Sequence, residues 1–228
     1  MNVIDILSRC DHTLLSPDAT ERDIIGLCDE GLKYAVASVC VPPSWVNTCY
    51  TYLGDRLPIC TVIGFPNGYS TTSTKVAEAK DAIGNGASEI DVVVNIGLVK
   101  SSRYDEVRDE IMALRRATEG YVLKVIIETS LLSDEEKVIM CKIVSDSGAD
   151  YIKTSTGFNG GGATVHDVKL LVDNVSATTK VKASGGIKTL KDAEDFITLG
   201  ADRLGTSRIV KIVSQMTQEI HSILDVEY

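Results

Sequence analysis

The stretch that decides the fold is Gly148-Ala149-Asp150-Tyr151-Ile152-Lys153-Thr154-Ser155, in which a glycine precedes a short run of β-forming residues. Glycine is typical of a helix end, because it adopts the left-handed conformation there without steric cost. The same arrangement recurs at Gly31, Gly86 and Gly200. Each interval between these glycines fits two strand-helix units of about 30 residues, as in an eightfold barrel. The pattern therefore predicts eight units.

Short β-branched runs alternate with amphipathic stretches along the whole chain, which is typical of repeated strand-helix units around a parallel sheet. Ser133 with Glu136 forms a capping box that predicts a helix start. The predicted strands are Cys10–Leu15, Tyr34–Val41, Ile59–Phe65, Ile90–Asn95, Val122–Glu128, Tyr151–Thr156, Val181–Ser184 and Arg203–Thr206. We predict an α/β fold, a TIM (β/α)8 barrel of parallel strands with surrounding helices, formed by residues 1–228 as a single domain.

Two alternatives to this barrel stay open. Glycine followed by a small residue before a strand is common in α/β proteins, so the repeat could carry no topological information. An open doubly wound sheet would use the same alternation, but it often carries a G-x-G-x-x-G sequence after its first strand, and this chain has none there.

The composition excludes several classes of protein. The chain has 228 residues, 44% apolar and 24% charged, which is globular usage rather than that of a disordered or collagen-like protein. Its formal net charge of −9 argues against general affinity for nucleic acid or an anionic membrane. Neither a spanning helix nor a signal peptide is predicted, because the apolar runs are short. We expect a cytoplasmic protein with no nucleic-acid or membrane partner.

Cysteine and histidine spacing gives no metal site. The six cysteines include no C-x-x-C pair, and His12, His166 and His221 lack the spacing of zinc-binding motifs. We expect reduced thiols and no bound metal.

Four charged residues lie inside predicted strands, where a parallel sheet usually carries only apolar residues. They are Asp91, Lys124, Lys153 and Lys182, and the three lysines are spaced 29 residues apart. Because side chains alternate along a strand, all four could point into one interior. Lys124 would then share its face with Glu128.

Neighbouring strands lie about 4.8 Å apart, so two of these ammonium groups would repel each other. We expect one lysine to lose its proton near neutral pH and to act as a nucleophile toward a carbonyl. The predicted chemistry is Schiff-base formation, with Asp91 and the remaining lysine moving protons. The alternative is a buried aspartate-lysine pair that only stabilises the barrel. In that case Lys180 or Lys124 would lie at a solvated strand end, or Glu128 or Asp91 would neutralise Lys124.

Two glycine-rich loops follow the last two predicted strands. They are Gly185-Gly186-Ile187-Lys188 and Gly205-Thr206-Ser207-Arg208, and the second opens the C-terminal helix. Glycine lets the backbone approach a ligand, and barrels commonly bind phosphate in the loops after strands 7 and 8. The pair of loops therefore favours a phosphorylated ligand, although strand-to-helix turns also use glycine for geometry alone. A third glycine run, Gly160-Gly161-Gly162, precedes Thr164, a candidate helix N-cap.

Taken together, these motifs are similar to those of the deoxyribose-phosphate aldolase family, class I aldolases built on a TIM barrel. The resemblance rests on seven stretches in this order: Asp11-His12-Thr13-Leu14-Leu15, Ser38-Val39-Cys40-Val41, Ile63-Gly64-Phe65-Pro66, Glu89-Ile90-Asp91-Val92-Val93, Lys124-Val125-Ile126-Ile127-Glu128-Thr129, Tyr151-Ile152-Lys153-Thr154-Ser155-Thr156-Gly157-Phe158 and Val181-Lys182-Ala183-Ser184-Gly185-Gly186-Ile187. No single stretch would suffice.

The resemblance implies reversible cleavage of 2-deoxy-D-ribose 5-phosphate to D-glyceraldehyde 3-phosphate and acetaldehyde, as part of deoxynucleoside catabolism. By motif match, Lys153 would form the Schiff base, and Asp91 and Lys182 would transfer protons. Lys182 would also favour the neutral amine of Lys153 through like-charge repulsion. The resemblance implies neither a metal nor a cofactor, and it suggests a homodimer.

The same resemblance implies a set of substrate-binding residues. They are Asp11, Cys40, Lys124, Gly157, Gly185, Gly186, Gly205 and Ser207. The chain departs from the family pattern after its last strand, where Arg208-Ile209 stands in place of a serine and a glycine. Arg208 could supply a stronger phosphate contact. Tyr228 could lie near the substrate or in a solvated tail.

Two other functions remain open at this point. A different Schiff-base aldolase or a transaldolase of phosphosugars would use the same lysine chemistry on a longer donor. A catalytically silent barrel that senses sugar phosphates would keep the binding loops, with Arg208 marking a rebuilt site.

Overall fold

The computed structural model describes the backbone of residues 1–224 and the side chains of residues 1–218, so His221 and Tyr228 lie outside the described side chains. Over that part of the chain, eight parallel strands close into a barrel in chain order, and the last strand pairs with the first. The predicted TIM (β/α)8 barrel is therefore confirmed. The strands are β1 (Cys10–Thr13), β2 (Ser38–Val41), β3 (Ile59–Ile63), β4 (Glu89–Val93), β5 (Val122–Ile126), β6 (Tyr151–Lys153), β7 (Lys180–Ser184) and β8 (Arg203–Thr206).

Helices surround this barrel and connect its parallel strands. They are α1 (Val3–Leu7), α2 (Glu21–Lys33), α3 (Val46–Leu53), α4 (Thr72–Gly84), α5 (Ile96–Lys100), α6 (Tyr104–Ala117), α7 (Asp134–Asp146), α8 (Val165–Asn174), α9 (Leu190–Thr198) and α10 (Ile209–Leu224). Short 3-10 turns lie at Pro43–Trp45, Gly54–Arg56 and Thr129–Leu131. Within residues 1–224, no helix combines the length and the apolar character needed to cross a bilayer.

Local capping determines where several helices begin. Ser133 and Glu136 bond reciprocally at the start of α7, as the sequence predicts. Thr164 caps α8 by accepting a hydrogen bond from the backbone N–H of Asp167. Each cap satisfies N–H groups that have no partner within the first helical turn, so each helix begins at a defined residue.

Glycine ends three of the four helices for which the sequence predicts it. A positive φ follows the helix cap at Gly86, Gly148 and Gly200. The prediction is wrong for Gly31, which lies inside α2. A β carbon on Gly31 would collide with Leu57, so this glycine serves close packing. The left-handed residue after α2 is instead Ala35, with φ 49°.

The apolar core lies mainly between the strands and the helices. Residues such as Val92, Val125 and Ile152 point outward and are buried there. A smaller apolar cluster, formed by Cys40, Cys60 and Val62, lies inside the barrel. The rest of the inward-facing layer carries the charged side chains of the candidate site, which the apolar packing outside keeps in place.

Candidate active site

The barrel interior brings together all four charged strand residues that the sequence singled out. Asp91 is paired in register with Lys124, and Lys153 with Lys182. Asp91 Oδ1 accepts from Lys124 Nζ at 2.8 Å. Asp91 Oδ2 accepts from Lys153 Nζ at 2.8 Å and from Lys182 Nζ at 2.6 Å. One carboxylate thus holds three ammonium groups, as expected if alternation points them inward.

Three further charged residues complete this group. Asp11 accepts from Lys182 through Oδ2 and from Arg203 at 2.6 Å through Oδ1. Glu89 lies 2.6 Å from Lys124 Nζ and 3.2 Å from Arg203. We call the whole group the inner cluster; its members are Asp11, Glu89, Asp91, Lys124, Lys153, Lys182 and Arg203.

Mutual neutralisation determines the protonation of the inner cluster. Burial alone would raise the pKa of Asp91, but Lys124, Lys153 and Lys182 outweigh it and hold the pKa well below its ordinary value. Burial alone would lower the pKa of Lys182, but Asp11 and Asp91 outweigh it and raise that pKa. Lys182 therefore stays cationic at neutral pH and can repel a second charge.

The expected partnership between Lys124 and Glu128 is wrong. β5 ends at Ile126, so strict alternation stops before Glu128, which adopts φ 52°. Its carboxylate accepts instead from Thr156 Oγ1 at 2.5 Å and from Asn159 Nδ2 at 3.0 Å. Glu128 therefore supports the loop that follows β6. Lys124 is fully buried rather than at a solvated strand end, whereas Lys180 is exposed.

A cavity of about 580 Å³ opens at the carboxyl ends of β1, β6, β7 and β8. Lys153 lines it and is 4% exposed. Five predicted binding residues also line it: Gly157, Gly185, Gly186, Gly205 and Ser207. Three others are buried behind the cavity wall: Asp11, Cys40 and Lys124. Within the inner cluster, Lys153 is thus the member that a ligand in the cavity can reach.

The cavity is cationic at the loops that follow β7 and β8. Lys188, Arg208 and Lys211 line it, and among the described residues no acidic side chain does. Gly185 and Gly186 have φ of 78° and 76°, which favours glycine at both positions. A β carbon on Gly185 would lie 3.0 Å from the backbone of Gly162, so the two loops also pack closely. An anion bound here would contact both the glycine backbone and positively charged side chains.

The Cys60 thiol is hydrogen-bonded to the inner cluster and does not form a metal site of its own. Cys60 Sγ donates to Asp91 at 3.2 Å and accepts from Lys124 at 3.3 Å, and burial raises its pKa well above normal. Cys40, Cys60 and Asp91 lie close enough to share a metal ion. Their surroundings disfavour one, because Asp91 already neutralises three ammonium groups and a cation would compete with them.

Two members of the inner cluster, Glu89 and Arg203, are not among the residues predicted from the sequence. The position of each residue in its strand could have identified it. Glu89 lies two residues before Asp91 on the same strand face, and Arg203 begins a predicted strand two residues before Gly205. A charged residue two positions from a predicted inward residue should therefore be placed in the same interior.

Comparison with known proteins agrees with this geometry. The family model for DeoC/LacD family aldolases matches residues 6–206. A deoxyribose-phosphate aldolase of Clostridioides difficile (strain 630) is 54% identical over 208 residues, covering 91% of this chain and 95% of the relative. Another, from Clostridium botulinum (strain Eklund 17B / Type B), is 51% identical over 213 residues, covering 93% of this chain and 96% of the relative.

A solved structure shares the fold closely. The deoxyribose phosphate aldolase from Aeropyrum pernix, described as a tetramer, superposes with a TM-score of 0.87 at 33% identity, covering 95% of this chain and 92% of that one. The enzyme class and the family resemblance predicted from the sequence are both confirmed. The chain belongs to the DeoC/LacD family of aldolases.

Proposed function

We propose that this chain catalyses the reversible cleavage of 2-deoxy-D-ribose 5-phosphate to D-glyceraldehyde 3-phosphate and acetaldehyde. The observation that carries the proposal is Lys153: its Nζ lies 2.8 Å from Asp91 at the wall of a cationic cavity, on a chain that aligns along almost its whole length with deoxyribose-phosphate aldolases. A lysine amine in such a position is suited to attack an aldehyde carbon.

The ion pairs of the inner cluster set Lys153 apart from the other lysines. Its cations are Lys124, Lys153, Lys182 and Arg203, and its anions are Asp11, Glu89 and Asp91. One surplus positive charge in a buried site is unfavourable, because burial disfavours net charge. Among the described residues, Lys153 has Asp91 alone as an ion-pair partner, whereas Lys182 and Lys124 each have more. Lys153 is therefore the lysine of the inner cluster that the fewest carboxylates hold, and it is the one that lines the cavity.

The chemical steps follow from this arrangement. Lys153 Nζ adds to C1 of the substrate, and loss of water leaves a protonated imine. The C2–C3 bond then breaks: its electron pair moves toward the imine to form an enamine, and the C3 hydroxyl gives up its proton. Glyceraldehyde 3-phosphate leaves, the enamine takes a proton at C2, and water releases acetaldehyde and the free amine.

Asp91 and Lys182 are the proposed proton carriers for these steps. Asp91 Oδ2 contacts both Lys153 and Lys182, so a proton can pass between the three groups without large movement. Lys182 also remains cationic beside Lys153, since its pKa is raised by Asp11 and Asp91 against the effect of burial. Lys124 and Asp11 hold this geometry through their own ion pairs.

The phosphate end of the substrate would lie against the loops after β7 and β8. Gly185, Gly186, Gly205 and Ser207 bring backbone close to the cavity, and Arg208 adds a guanidinium that can bond two phosphate oxygens. The iminium supplies the electron sink for carbon-carbon cleavage, so the proposed mechanism uses neither a metal nor a cofactor.

The test is an assay of the purified chain with 2-deoxy-D-ribose 5-phosphate and, in parallel, with fructose 1,6-bisphosphate, each with and without EDTA. We expect glyceraldehyde 3-phosphate and acetaldehyde from the first substrate, an EDTA-independent rate, and little cleavage of the second. Preferential cleavage of fructose 1,6-bisphosphate would indicate a different Schiff-base aldolase. Binding of deoxyribose phosphate with turnover at background would indicate a sensor.

We further propose one aldolase domain over residues 1–228, a homodimer and a cytoplasmic location. All six cysteines are buried and unbridged, which fits a reducing compartment. The Aeropyrum pernix relative is an oligomer of another size. Light scattering during size exclusion measures the assembly directly, and twice the chain mass is the expected result.

A further inference from the structure

Ser184 carries an unpaired buried hydroxyl at the wall of the cavity. It ends β7, is 3% exposed and lines the cavity wall. Its backbone is fully engaged, since its N–H donates to Thr154 Oγ1 at 3.1 Å and its carbonyl accepts from Ala163 N–H at 2.9 Å. Its Oγ has no hydrogen-bond partner among the described residues. A buried hydroxyl without a partner is destabilising, so this one is suited to a ligand.

The position of this hydroxyl is defined by its neighbours. Ser184 lies two residues beyond Lys182 on the same face and immediately before Gly185. It pairs in register with Gly205, whose missing side chain leaves room for the hydroxyl itself. A β carbon on Gly205 would collide with Ser184 Oγ and would lie 3.1 Å from Lys182 Cε. The hydroxyl therefore lies next to Gly205, near the Lys182 side chain and at the start of the proposed phosphate loops.

The proposed substrate has one group that fits this position, and this step rests on the proposed function. With C1 on Lys153 and the phosphate of C5 at the loops, the C3 oxygen faces the proton-transfer groups. The C4 hydroxyl comes next along the substrate chain and does not react. We propose that Ser184 binds this C4 hydroxyl, which is the C2 hydroxyl of glyceraldehyde 3-phosphate. Ser184 thereby selects phosphorylated aldehydes that carry a hydroxyl next to the aldehyde carbon.

Ser155 provides a matched control within the same chain. It lies two residues beyond Lys153, as Ser184 lies two beyond Lys182, and its Oγ likewise has no partner among the described residues. Ser155 differs in being fully buried and outside the cavity wall. A Ser155→Ala variant therefore removes an equivalent unpaired hydroxyl without touching the proposed contact.

The experiment measures aldol addition of acetaldehyde to two acceptors, D-glyceraldehyde 3-phosphate and 3-oxopropyl phosphate, which lacks the C2 hydroxyl. Wild type, Ser184→Ala and Ser155→Ala are compared. We expect Ser184→Ala to lower kcat/KM for glyceraldehyde 3-phosphate about tenfold. We expect it to change kcat/KM for 3-oxopropyl phosphate by less than about twofold. Ser155→Ala should leave the ratio of the two values unchanged.

Two results would overturn the assignment: an equal loss with both acceptors, which indicates a purely structural role, or no loss with either. A changed ratio in Ser155→Ala would also overturn it, since that hydroxyl lies outside the cavity wall. If wild type forms no product with either acceptor, the proposed function itself fails, and the inference fails with it. Thermal unfolding adds an independent readout, because removing an unpaired buried hydroxyl should leave the ligand-free Tm equal or higher.

Discussion

Among the described residues, several lysines are buried beside carboxylates, and two of these regions differ in charge balance and access. Outside the barrel, Lys75 of α4 donates to Glu110 of α6 at 2.7 Å and to the carbonyl of Val93 at 2.8 Å. We call Lys75 and Glu110 the outer pair. It is balanced one to one and closed to solvent, with exposures of 0% and 3%. The inner cluster carries one more cation than anions and reaches a cavity through Lys153.

The difference shows that burial alone does not make a lysine a catalyst. Lys75 is at least as buried as Lys153. Its ammonium group, however, is engaged in linking α4 to Glu110 of α6 and to the carbonyl at the end of β4. Lys153 shares a carboxylate oxygen with Lys182, and its side chain lines an open cavity. Surplus charge together with access distinguishes a chemical site from a structural pair.

The largest expected effect comes from removing the amine of the inner cluster. Lys153→Met should lower kcat/KM for 2-deoxy-D-ribose 5-phosphate by about 10⁴-fold or more, because the covalent route is lost. Its unfolding free energy should change by less than about 1 kcal/mol, because the surplus cation is the one removed. Steady-state kinetics and denaturant titration measure the two quantities. Lys180→Met, an exposed lysine on β7, is the control and should keep wild-type kinetics. Substantial turnover by Lys153→Met would contradict the comparison.

Substitution in the outer pair should lower stability strongly and leave activity nearly unchanged. Lys75→Met leaves Glu110 buried and unpaired, and breaking a buried ion pair in this way costs about 3 to 5 kcal/mol of stability. The variant should nevertheless keep kcat/KM within about twofold at a temperature where it is folded. Denaturant unfolding and kinetics on one preparation test this.

A double variant, Lys75→Met with Glu110→Gln, is the matched control for the outer pair. It should recover part of the lost stability, because the unpaired buried charge is gone. Activity lost in parallel with stability, after correction for the folded fraction, would remove the distinction between the two regions.

The barrel and its charged interior are largely predictable from the sequence, because they depend on local periodicity. Alternation places Asp91, Lys124, Lys153 and Lys182 on inward faces, and the structure agrees. The pairing pattern is not predictable in this way. Asp11 contacts Arg203 across 192 positions of sequence, and which carboxylate meets which cation depends on how the strands are staggered in the closed barrel.

The errors have equally local causes. Gly31 resembles the other helix ends but lies inside α2, where its hydrogen atom allows the close approach of the Leu57 and Val39 side chains. Glu128 looks like an inward strand residue, but β5 ends two residues earlier. In both cases a correct local preference is overridden by packing that only the folded chain provides.

A smaller effect concerns the phosphate side of the cavity. Arg208→Ser should raise KM for 2-deoxy-D-ribose 5-phosphate about 10- to 100-fold, the range for losing a hydrogen-bonded charge, with kcat little changed. Unphosphorylated 2-deoxy-D-ribose serves as the internal control and should show no change in kcat/KM. An equal loss on both sugars would mean that Arg208 supports the loop rather than binding phosphate.

The smallest effect is the opposite pH dependence of two buried lysines. Burial lowers the pKa of Lys75 despite Glu110, whereas Asp11 and Asp91 raise that of Lys182 despite burial. Lys182 therefore contributes stability below the unfolded pKa of about 10.4, and this is lost as pH rises through the higher folded value. Lys75 has the reverse sign, since the unfolded chain holds its proton more tightly.

Unfolding free energies between about pH 9 and 11 measure this difference. Compared with wild type, Lys75→Met should make the fall in stability with pH steeper, and Lys182→Met should make it shallower. Each change should be below about 1.4 kcal/mol per pH unit, the limit for one proton. Changes of the same sign in both variants would contradict the assigned pKa directions.

Reductive trapping tests the central claim most directly. The wild-type chain is incubated with acetaldehyde and sodium borohydride, digested, and mapped by mass spectrometry, with Lys153→Met treated in parallel. We expect a reduced ethyl adduct on the peptide that carries Lys153 and loss of turnover in proportion to labelling. An adduct on Lys182 or Lys124, or full inactivation without any adduct on Lys153, would contradict the account.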